Sequence, residues 1–373
     1  MMRKKIPIVL ASILKPVNDS RMLFKLGFSL RETNKYHLNI IGFSSKKIPI
    51  SENINFKVIF SKNRTHPTRI LVPFKFFFQL LKIKPRIVIV STYELLPMAV
   101  LGKAILSYKL VYDVQENYLL NLQHNQTLFG FRKFLAKMLV FFFEKLSHPF
   151  IDHFLFAEKC FVQEMPAIKN HTVIQNKAHL PDKFLPSFRI EKVQSPHFLL
   201  TGTIARVYGV SAAIDWFIEL RRMVPGASLY VIGHCPLPSY ASELQSKVKT
   251  QPGIHLQLSP DPLPHPHILR EIQKADILLL PYKLLPSIRD KIPTKLYEGI
   301  AHQKPILITK NKIWEDMIQK YPAGIVIDFG DTKRIKASWE KFSSMYFYKI
   351  PPGIEVSWQA EKKSFQQLIE ALL

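Results

Sequence analysis

The sequence is poor in the residues that define several common protein classes. Of its 373 residues only two are cysteines, Cys160 and Cys235, which lie far apart and match no metal-ligand spacing. This pattern argues against a disulfide scaffold and favours a reducing compartment. The thirteen histidines contain no His-x-x-x-His pair. We therefore predict neither a protein-bound metal nor a cofactor.

Long apolar runs are also lacking, since none approaches the about 18 residues that a membrane-spanning helix needs. The first residues, MMRKKIPIVLASIL, have the basic head of a signal peptide. Lys15, Asn18 and Asp19 follow where small residues of a cleavage site would be expected. The segment Ile6–Ile13 is therefore predicted to be a buried first strand, and the protein is expected to be cytoplasmic.

Acidic residues are scarce, with 28 Asp and Glu against 52 Lys and Arg, and the formal net charge is +24. Residues 1–180 hold 27 bases and 10 acids, a net charge of +17 by subtraction. Such a basic half suggests nucleic acid, anionic lipid or phosphorylated substrates as partners. No nucleic-acid-binding motif accompanies the charge. We therefore favour an anionic membrane surface over nucleic acid.

Two segments of this half mix bases with aromatic residues. In Thr68–Lys84, Lys75 and Lys82 alternate with a run of phenylalanines, and Phe129–Phe150 has a similar composition. Two interpretations remain open. In the first, both segments are helices that pack on the core while their bases reach solvent. In the second, both present an interfacial face that contacts lipid.

Apolar strands alternate with amphipathic helices along the whole chain, which predicts parallel α/β sheets. Prolines and scattered charges over residues 176–196 indicate a linker between two domains. We predict an α/β fold of two Rossmann-like, doubly wound parallel-sheet domains that face each other across a cleft. The predicted boundaries are 1–180, 181–350 and a last helix, 351–373, that crosses back to the first domain.

The stretch Ala275–Thr309 is the centre of the second domain. Ile277–Leu280 fits a strand buried on both faces, and Pro281 and Pro286 predict a loop after it. Pro293 suits the first turn of a new helix, in which Leu296 and Ile300 share one face. Acids and bases at a helix start, just past the carboxyl end of a parallel strand, are typical of a ligand site.

The chain resembles the retaining GT-B glycosyltransferases of the family-4 type. The resemblance is strongest in LLTGTIARVYGVSAAI, LYVIG, ADILLLPY, PTKLYEGIAHQKPILIT and the terminal SWQ helix. In the first half, DSR at 19–21 and VYDVQENY at 111–118 are similar to the loop after strand one and the "D-x-H-E" segment of the family. The order and spacing of these segments together, rather than any one of them, carry the resemblance.

The resemblance implies where the donor binds. Asp290 and Glu298 match the two ends of the E-x7-E motif, with Asp at the first position. In relatives the second acid holds the ribose hydroxyls and the first lies near the donor sugar. Alternatively, both are capping or surface acids. The predicted donor-binding residues are Glu298, Lys295, Thr294, Gly202, Thr203 and Gly233.

Relatives place an Arg and a Lys in the pattern G-R-L-x-x-x-K-G to meet the departing diphosphate. Here Gly202–Gly209 reads GTIARVYG and has neither base at its position. Arg206 lies in the same loop and can replace one base, while Arg289, Lys291 or Lys295 can supply the other. We predict Arg206 and Lys291 as catalytic, together with Asp290 and Asp113. The competing interpretation of Arg206 is a pair with a surface acid.

In the first domain Asp113 and Glu116 are expected to position the acceptor or donor, although a helix-capping Glu116 is an equal alternative. Asp19, Ser20 and Arg21 occupy the first strand–helix loop and are predicted to help position ligands; a simple N-cap explains Asp19 or Ser20 as well. His265 and His267 lie in a loop that in relatives of this family passes near the base, but surface histidines are the favoured interpretation.

Together these features predict a retaining hexosyltransferase that is cytoplasmic and peripheral on the inner face of the membrane. It would move a sugar from a nucleoside diphosphate sugar to a lipid-linked or cell-surface polysaccharide acceptor. The alternative is a non-catalytic homologue that binds a nucleotide sugar or a partner protein. A GT-B epimerase or phosphorylase is a third possibility.

Overall fold

The computed structural model describes residues 5–44, 51–62, 66–124, 130–190 and 195–373. The chain divides into two compact units, Met1–Asn176 with Gln359–Leu373, and Lys177–Trp358. The chain therefore passes from one unit to the other after Asn176 and again after Trp358.

Unit 1 contains a seven-stranded sheet in which every pairing is parallel. The strand order is β3-β2-β1-β4-β5-β6-β7. The strands are β1 (Ile6–Pro16), β2 (Tyr36–Phe43), β3 (Ile54–Phe60), β4 (Ile87–Val90), β5 (Lys109–Val114), β6 (His153–Phe156) and β7 (His171–Val173). The predicted first strand is confirmed, while residues 1–4 of the signal-like start lie outside the described residues.

The connections between these strands are helical. A π-helical segment, Ser20–Gly27, runs into α1 (Phe28–Arg31). The others are α2 (Val72–Ile83), α3 (Leu96–Leu106), α4 (Tyr118–His124), α5 (Gly130–Ser147) and α6 (Phe161–Glu164), with 3-10 turns at Pro67–Leu71, Tyr93–Leu95 and His148–Phe150. The predicted start of the α5 segment at Phe129 lies outside the described residues.

Helices α2, α3 and α5 lie on the same side of the unit 1 sheet. Phe76 of α2, Ala99 of α3 and Tyr112 of β5 belong to one buried apolar cluster. The Tyr112 hydroxyl also donates a hydrogen bond of 2.7 Å to Glu144 of α5. Neighbouring contacts join α2 to α3 and α3 to α5, so the three helices form one layer.

Unit 2 contains a six-stranded parallel sheet with the order β10-β9-β8-β11-β12-β13. Its strands are β8 (His197–Thr203), β9 (Ser228–His234), β10 (Ile254–Ser259), β11 (Ile277–Leu280), β12 (Ile306–Thr309) and β13 (Gly324–Ile327). All four residues of β11 are buried, as expected for a central strand covered on both faces.

The helices of unit 2 are α7 (Val210–Met223), α8 (Pro238–Val248), α9 (His265–Lys274), α10 (Thr294–Ala301), α11 (Lys312–Lys320) and α12 (Ile335–Ser343). Short 3-10 turns lie at Arg206–Tyr208, Thr332–Arg334 and Ile354–Val356. The last helix, α13 (Trp358–Ala371), starts at the end of unit 2, and its residues from Gln359 onward belong to unit 1.

Candidate nucleotide-sugar site

The candidate site lies at the carboxyl ends of the unit 2 strands, where parallel α/β sheets bind ligands. Gly202, near the end of β8, has φ of +121°, and a Cβ there would stand 3.7 Å from Cε of Lys295. Gly233, at the end of β9, is also required because a Cβ would collide with the carbonyl oxygen of Gly202. Gly233 therefore lets the ends of β8 and β9 lie close together, and Gly202 permits the positive φ at the end of β8.

The helix α10 begins right after Pro293, which occupies the N-cap position instead of the first turn. Leu296 and Ile300 are fully buried and fix one face of the helix against the core. Thr294 and Lys295, in the first turn, are half-buried. One turn further along the helix is Glu298, whose side chain is only 2% exposed.

Glu298 holds two basic partners. Its Oε2 accepts a hydrogen bond of 2.7 Å from Nζ of Lys295, and its Oε1 lies 2.7 Å from Nε2 of His265, the first residue of α9. Burial alone would raise the pKa of Glu298, but the charge of Lys295 and the contact with His265 outweigh it. The pKa of Glu298 is therefore held well below its ordinary value, and the site contains a fixed carboxylate.

The loop between β11 and α10 is held in place by α11. The side chain of Asn311 donates to the carbonyl oxygen of Arg289 at 2.8 Å, and Nε1 of Trp314 donates to that of Lys291 at 2.7 Å. Asp290 is exposed and lies 3.2 Å from Nε of Arg289. The structure therefore places Asp290 in a local ion pair and Lys291 on an anchored segment.

Arg206 is exposed and directed toward α8. Both of its terminal nitrogens pair with the carboxylate of Glu243, and its guanidinium lies 4.7 Å from the ring centre of Tyr240. The bond with Glu243 raises the pKa of Arg206 above its ordinary value. Thr203, near the start of the same loop, is also exposed.

In unit 1 the predicted residues Arg21 and Asp113 form a buried ion pair. Nη2 of Arg21 lies 2.6 Å from Oδ1 of Asp113, and Nε lies 3.0 Å from both carboxylate oxygens. The side chains of Ser91 and Gln115 donate to Oδ2 of Asp113 at 3.2 and 2.8 Å. Nη1 of Arg21 donates to Asn176 Oδ1 at 3.0 Å, so this network reaches the residue where unit 1 ends.

The other predicted residues of unit 1 make local contacts. Asp19 caps the π-helical segment by accepting from the backbone N–H groups of Arg21 and Met22 at 3.0 and 3.1 Å. Ser20 is half-buried at the first position of that segment. Glu116 accepts from the Asn121 side chain at 2.9 Å.

Two contacts were not predicted from the sequence. His265 was interpreted as a surface histidine, but it contacts the buried carboxylate of Glu298. The pairing of Arg21 with Asp113 joins residues 92 positions apart. The signal for this role lies in the family resemblance, since the matching loop passes near the base in relatives.

Within the described ranges, no group of three or more His, Cys, Asp or Glu residues is arranged to hold a metal ion. A search of the helices in the same ranges found none that is both long and apolar enough to cross a membrane.

Comparison with solved structures shows which fold this is. The chain superposes on sucrose-phosphate synthase from Thermosynechococcus elongatus with a TM-score of 0.70 and 12% identity, over 99% of both chains. For HepE from Anabaena in complex with UDP and glucose, the TM-score is 0.67 and the identity 11%, over 98% of this chain and 99% of that one. For WaaG, a glycosyltransferase involved in lipopolysaccharide biosynthesis, the TM-score is 0.64 and the identity 13%, over 97% of this chain and 95% of that one. The fold is GT-B, as predicted.

A family model matches part of the second unit. Residues 186–347 match the model of glycosyl transferases group 1, a segment that contains Glu298, Lys295, His265 and both glycines of the site. This match, together with the GT-B fold, agrees with the resemblance that the sequence motifs indicated. A search by sequence found no match among curated proteins.

Proposed function

We propose that this protein transfers a hexosyl group from a nucleoside diphosphate sugar to a lipid-linked or cell-surface polysaccharide acceptor, with retention of configuration. The observation that supports the proposal most is the buried, ionised Glu298 at the start of α10, beside Lys295 and Gly202. The match of residues 186–347 to the model of glycosyl transferases group 1 supports the reaction class. The retained configuration and the acceptor rest on the resemblance to family-4 enzymes.

Glu298 is suited to hold a ribose. A carboxylate offers about four acceptor positions, two on each oxygen. Lys295 takes one position on Oε2 and His265 one on Oε1. One position on each oxygen remains for the two vicinal hydroxyls of a ribose. Because Lys295 and His265 hold the carboxylate still, little ordering is required when the nucleotide binds.

The start of α10 is suited to meet a diphosphate. Its first N–H groups and Lys295 present positive charge, and Gly202 leaves the backbone open to close approach. Positive charge at this place stabilises the diphosphate as it leaves the sugar. In this proposal Thr294, Thr203 and Gly233 line the donor, while Asp290 and Lys291 lie toward the sugar and phosphates.

Arg206 would contact the diphosphate only after its ion pair with Glu243 has broken. Both side chains are substantially exposed, at 57% and 42%, and exposed ion pairs are weak enough to exchange partners. The same pair favours a second candidate, a homologue that binds a nucleotide sugar without transferring it. In that case Arg206 stays with Glu243 and the diphosphate lacks its second base.

For unit 1 we propose acceptor binding near Ser20, Glu116 and the Arg21–Asp113 pair, with the protein at the inner face of the membrane. Because Asp113 is fully buried and held by Arg21, it would orient the neighbouring loop instead of contacting the acceptor directly. UDP is the first nucleotide to test, since structural neighbours were solved with UDP or UDP-glucose.

Thermal unfolding with UDP, GDP and ADP tests donor binding. A ligand that binds the folded state at a hundred times its Kd adds about 2.7 kcal/mol to the free energy of unfolding. We expect one nucleotide to raise the Tm of the native protein but not that of Glu298→Gln. Glu340→Gln, an exposed acid on α12, is the matched control. Equal stabilisation of Glu298→Gln would contradict the proposed ribose contact.

Release of nucleoside diphosphate from the sugar donor then separates the two candidates. Turnover that falls in Arg206→Ala, with nucleotide stabilisation intact, supports the transferase. Stabilisation without any turnover in the native protein supports the binding homologue.

A further inference from the structure

Helix α5 exposes the residues that a helix of a globular protein normally buries. Phe131, Leu135, Leu139, Phe142 and Leu146 follow each other at intervals of three or four residues and so lie on one side of the helix. Their exposed fractions range from 45% to 76%. The buried residues of α5 are Val140, Glu144 and Ser147. The apolar side of α5 therefore faces solvent and a partly polar side faces the sheet, the reverse of the usual arrangement.

The neighbouring helices continue this surface. On α2 and the turn before it, Leu71, Phe74 and Phe78 are 50% to 58% exposed. On α3, Leu101 and Ile105 are 45% and 57% exposed. Because α3 contacts both α2 and α5, these side chains form one continuous surface. We call it the α2–α3–α5 face, defined by Leu71, Phe74, Phe78, Leu101, Ile105, Phe131, Phe134, Leu135, Leu139, Phe142 and Leu146.

The charges on the three helices are nearly all positive, although Lys103 of α3 is paired with Asp152 at 2.6 Å. The three helices contain seven bases, Lys75, Lys82, Lys103, Arg132, Lys133, Lys137 and Lys145. Their one acid, Glu144, is directed inward to Tyr112. Lys75, Lys82, Arg132 and Lys145 are exposed, and Nζ of Lys145 lies 5.0 Å from the ring centre of Phe141. Aromatic and aliphatic side chains thus alternate with bases across the layer.

We propose that the α2–α3–α5 face docks on the surface of an anionic lipid bilayer, with its aromatic side chains inserted among the acyl chains and its lysines at the headgroups. Apolar side chains flanked by bases are the composition of interfacial helices. Charge complementarity selects the occupant: a second copy of this chain would set like charges against each other, whereas anionic lipid neutralises them. The inward contacts of Glu144 and Val140 keep α5 on the sheet, so it lies along the bilayer surface.

The inference concerns unit 1 alone and does not depend on nucleotide binding at Glu298. It would place a lipid-linked acceptor at the same membrane that holds the protein. Failure of lipid docking leaves the nucleotide experiment unaffected, and failure of nucleotide binding leaves lipid docking unaffected.

Vesicle co-sedimentation of the full chain tests the proposal. We expect binding to vesicles of phosphatidylcholine and phosphatidylglycerol in equal parts, weak binding to phosphatidylcholine alone, and a loss of affinity at high salt. The apolar variant is Phe131→Ser/Phe142→Ser/Leu146→Ser. Its affinity should fall by about tenfold per residue, since burial of one such side chain has a value of that order.

The charge variant is Lys75→Gln/Lys82→Gln/Lys145→Gln, with an expected loss of about fivefold per lysine. Matched controls lie in unit 2. They are Leu185→Ser/Ile350→Ser/Ile354→Ser for exposed apolar residues, and Lys249→Gln/Lys336→Gln/Lys341→Gln for exposed lysines. Both controls should bind the vesicles like the native protein. An unchanged Tm for each variant shows that it is folded.

Three results would overturn the proposal. One is no binding to either type of vesicle, and a second is binding that the unit 2 controls reduce as much as the unit 1 variants. The third is a native dimer in sedimentation velocity that the apolar variant converts to a monomer, because the face would then be covered by a second copy.

Discussion

Glu298 and Glu144 are both buried glutamates on helices that cover parallel sheets, yet their pKa values move in opposite directions. Glu298 in unit 2 has Lys295 and His265 at 2.7 Å, which lower its pKa. Glu144 in unit 1 accepts a hydrogen bond from the neutral hydroxyl of Tyr112, and burial raises its pKa to about 7. Equal burial therefore has opposite consequences, depending on whether the neighbour carries charge.

The opposite pKa shifts suit Glu298 to a ligand site and Glu144 to a structural role. A carboxylate that is kept ionised inside a protein can accept hydrogen bonds from a ligand. A carboxyl that is half protonated near neutral pH, on the inner side of α5, instead links the stability of unit 1 to pH. Four experiments test how far the contrast extends.

The largest effect is expected at Lys295. In Lys295→Met the carboxylate of Glu298 stays buried with one of its two partners, and we expect the free energy of unfolding at neutral pH to fall by about 3 to 5 kcal/mol. Chemical denaturation measures this change. The double variant Lys295→Met/Glu298→Gln should recover part of the loss, because it leaves no buried charge. Additive losses in the double variant would show that the two residues are not coupled.

The second-largest effect is expected for Glu144→Gln, which should raise the free energy of unfolding instead of lowering it. Since the pKa of Glu144 is raised from 4.5 to about 7 in the folded state, the native protein loses stability as pH rises through that interval. Gln does not ionise, so the variant should be more stable than the native protein at pH 8 by up to about 3 kcal/mol, with little gain at pH 4.5. A difference that does not vary with pH would contradict the raised pKa.

The pH dependence of Glu298→Gln should mirror that of Glu144→Gln. Because the folded pKa of Glu298 is depressed, its stabilising contribution is fully present above the unfolded value of 4.5. It is lost as pH falls from that value toward the folded pKa. The native protein should therefore exceed Glu298→Gln in stability by about 2 kcal/mol near neutral pH, and the gap should close in acid. A difference in stability between the native protein and Glu298→Gln that does not vary with pH would contradict the depressed pKa of Glu298.

The smallest effect is expected at His265. His265→Ala removes one hydrogen bond to a charged acceptor and should cost roughly 1.5 kcal/mol. It should also weaken nucleotide stabilisation, because Glu298 loses one of its supports. His267→Ala, two residues along α9, is the control. Equal losses of nucleotide binding in both variants would show that His265 does not position Glu298.

The order of strands and helices could be predicted from the sequence because it depends on local patterns. The buried strand Ile277–Leu280 and a helix that starts close to Pro293 appear at the predicted places. Some helices of unit 2 are not predicted by the sequence patterns. Pro238–Val248 and Lys312–Lys320 are two of them, and they supply Glu243 for Arg206 and Trp314 for the loop of Lys291.

The location of the candidate site was also accessible, since Lys295 and Glu298 are three residues apart on one helix and lie close together by geometry alone. The residues that surround Lys295 and Glu298 could not be predicted from the sequence. His265 lies 33 residues before Glu298 and comes from another helix, and Glu243 lies 37 residues after Arg206. No local pattern encodes such pairings, because they depend on how the helices pack on the sheet.

The sequence by itself determined two alternating α/β units, an excess of positive charge in the first, and a helix that starts close to Pro293 in the second. It did so because hydrophobic periodicity and composition act over short stretches of chain. Only the tertiary structure decided which carboxylates meet bases, and that the apolar side of α5 faces outward. Charge pairing and burial depend on neighbours that the fold brings together from distant parts of the chain.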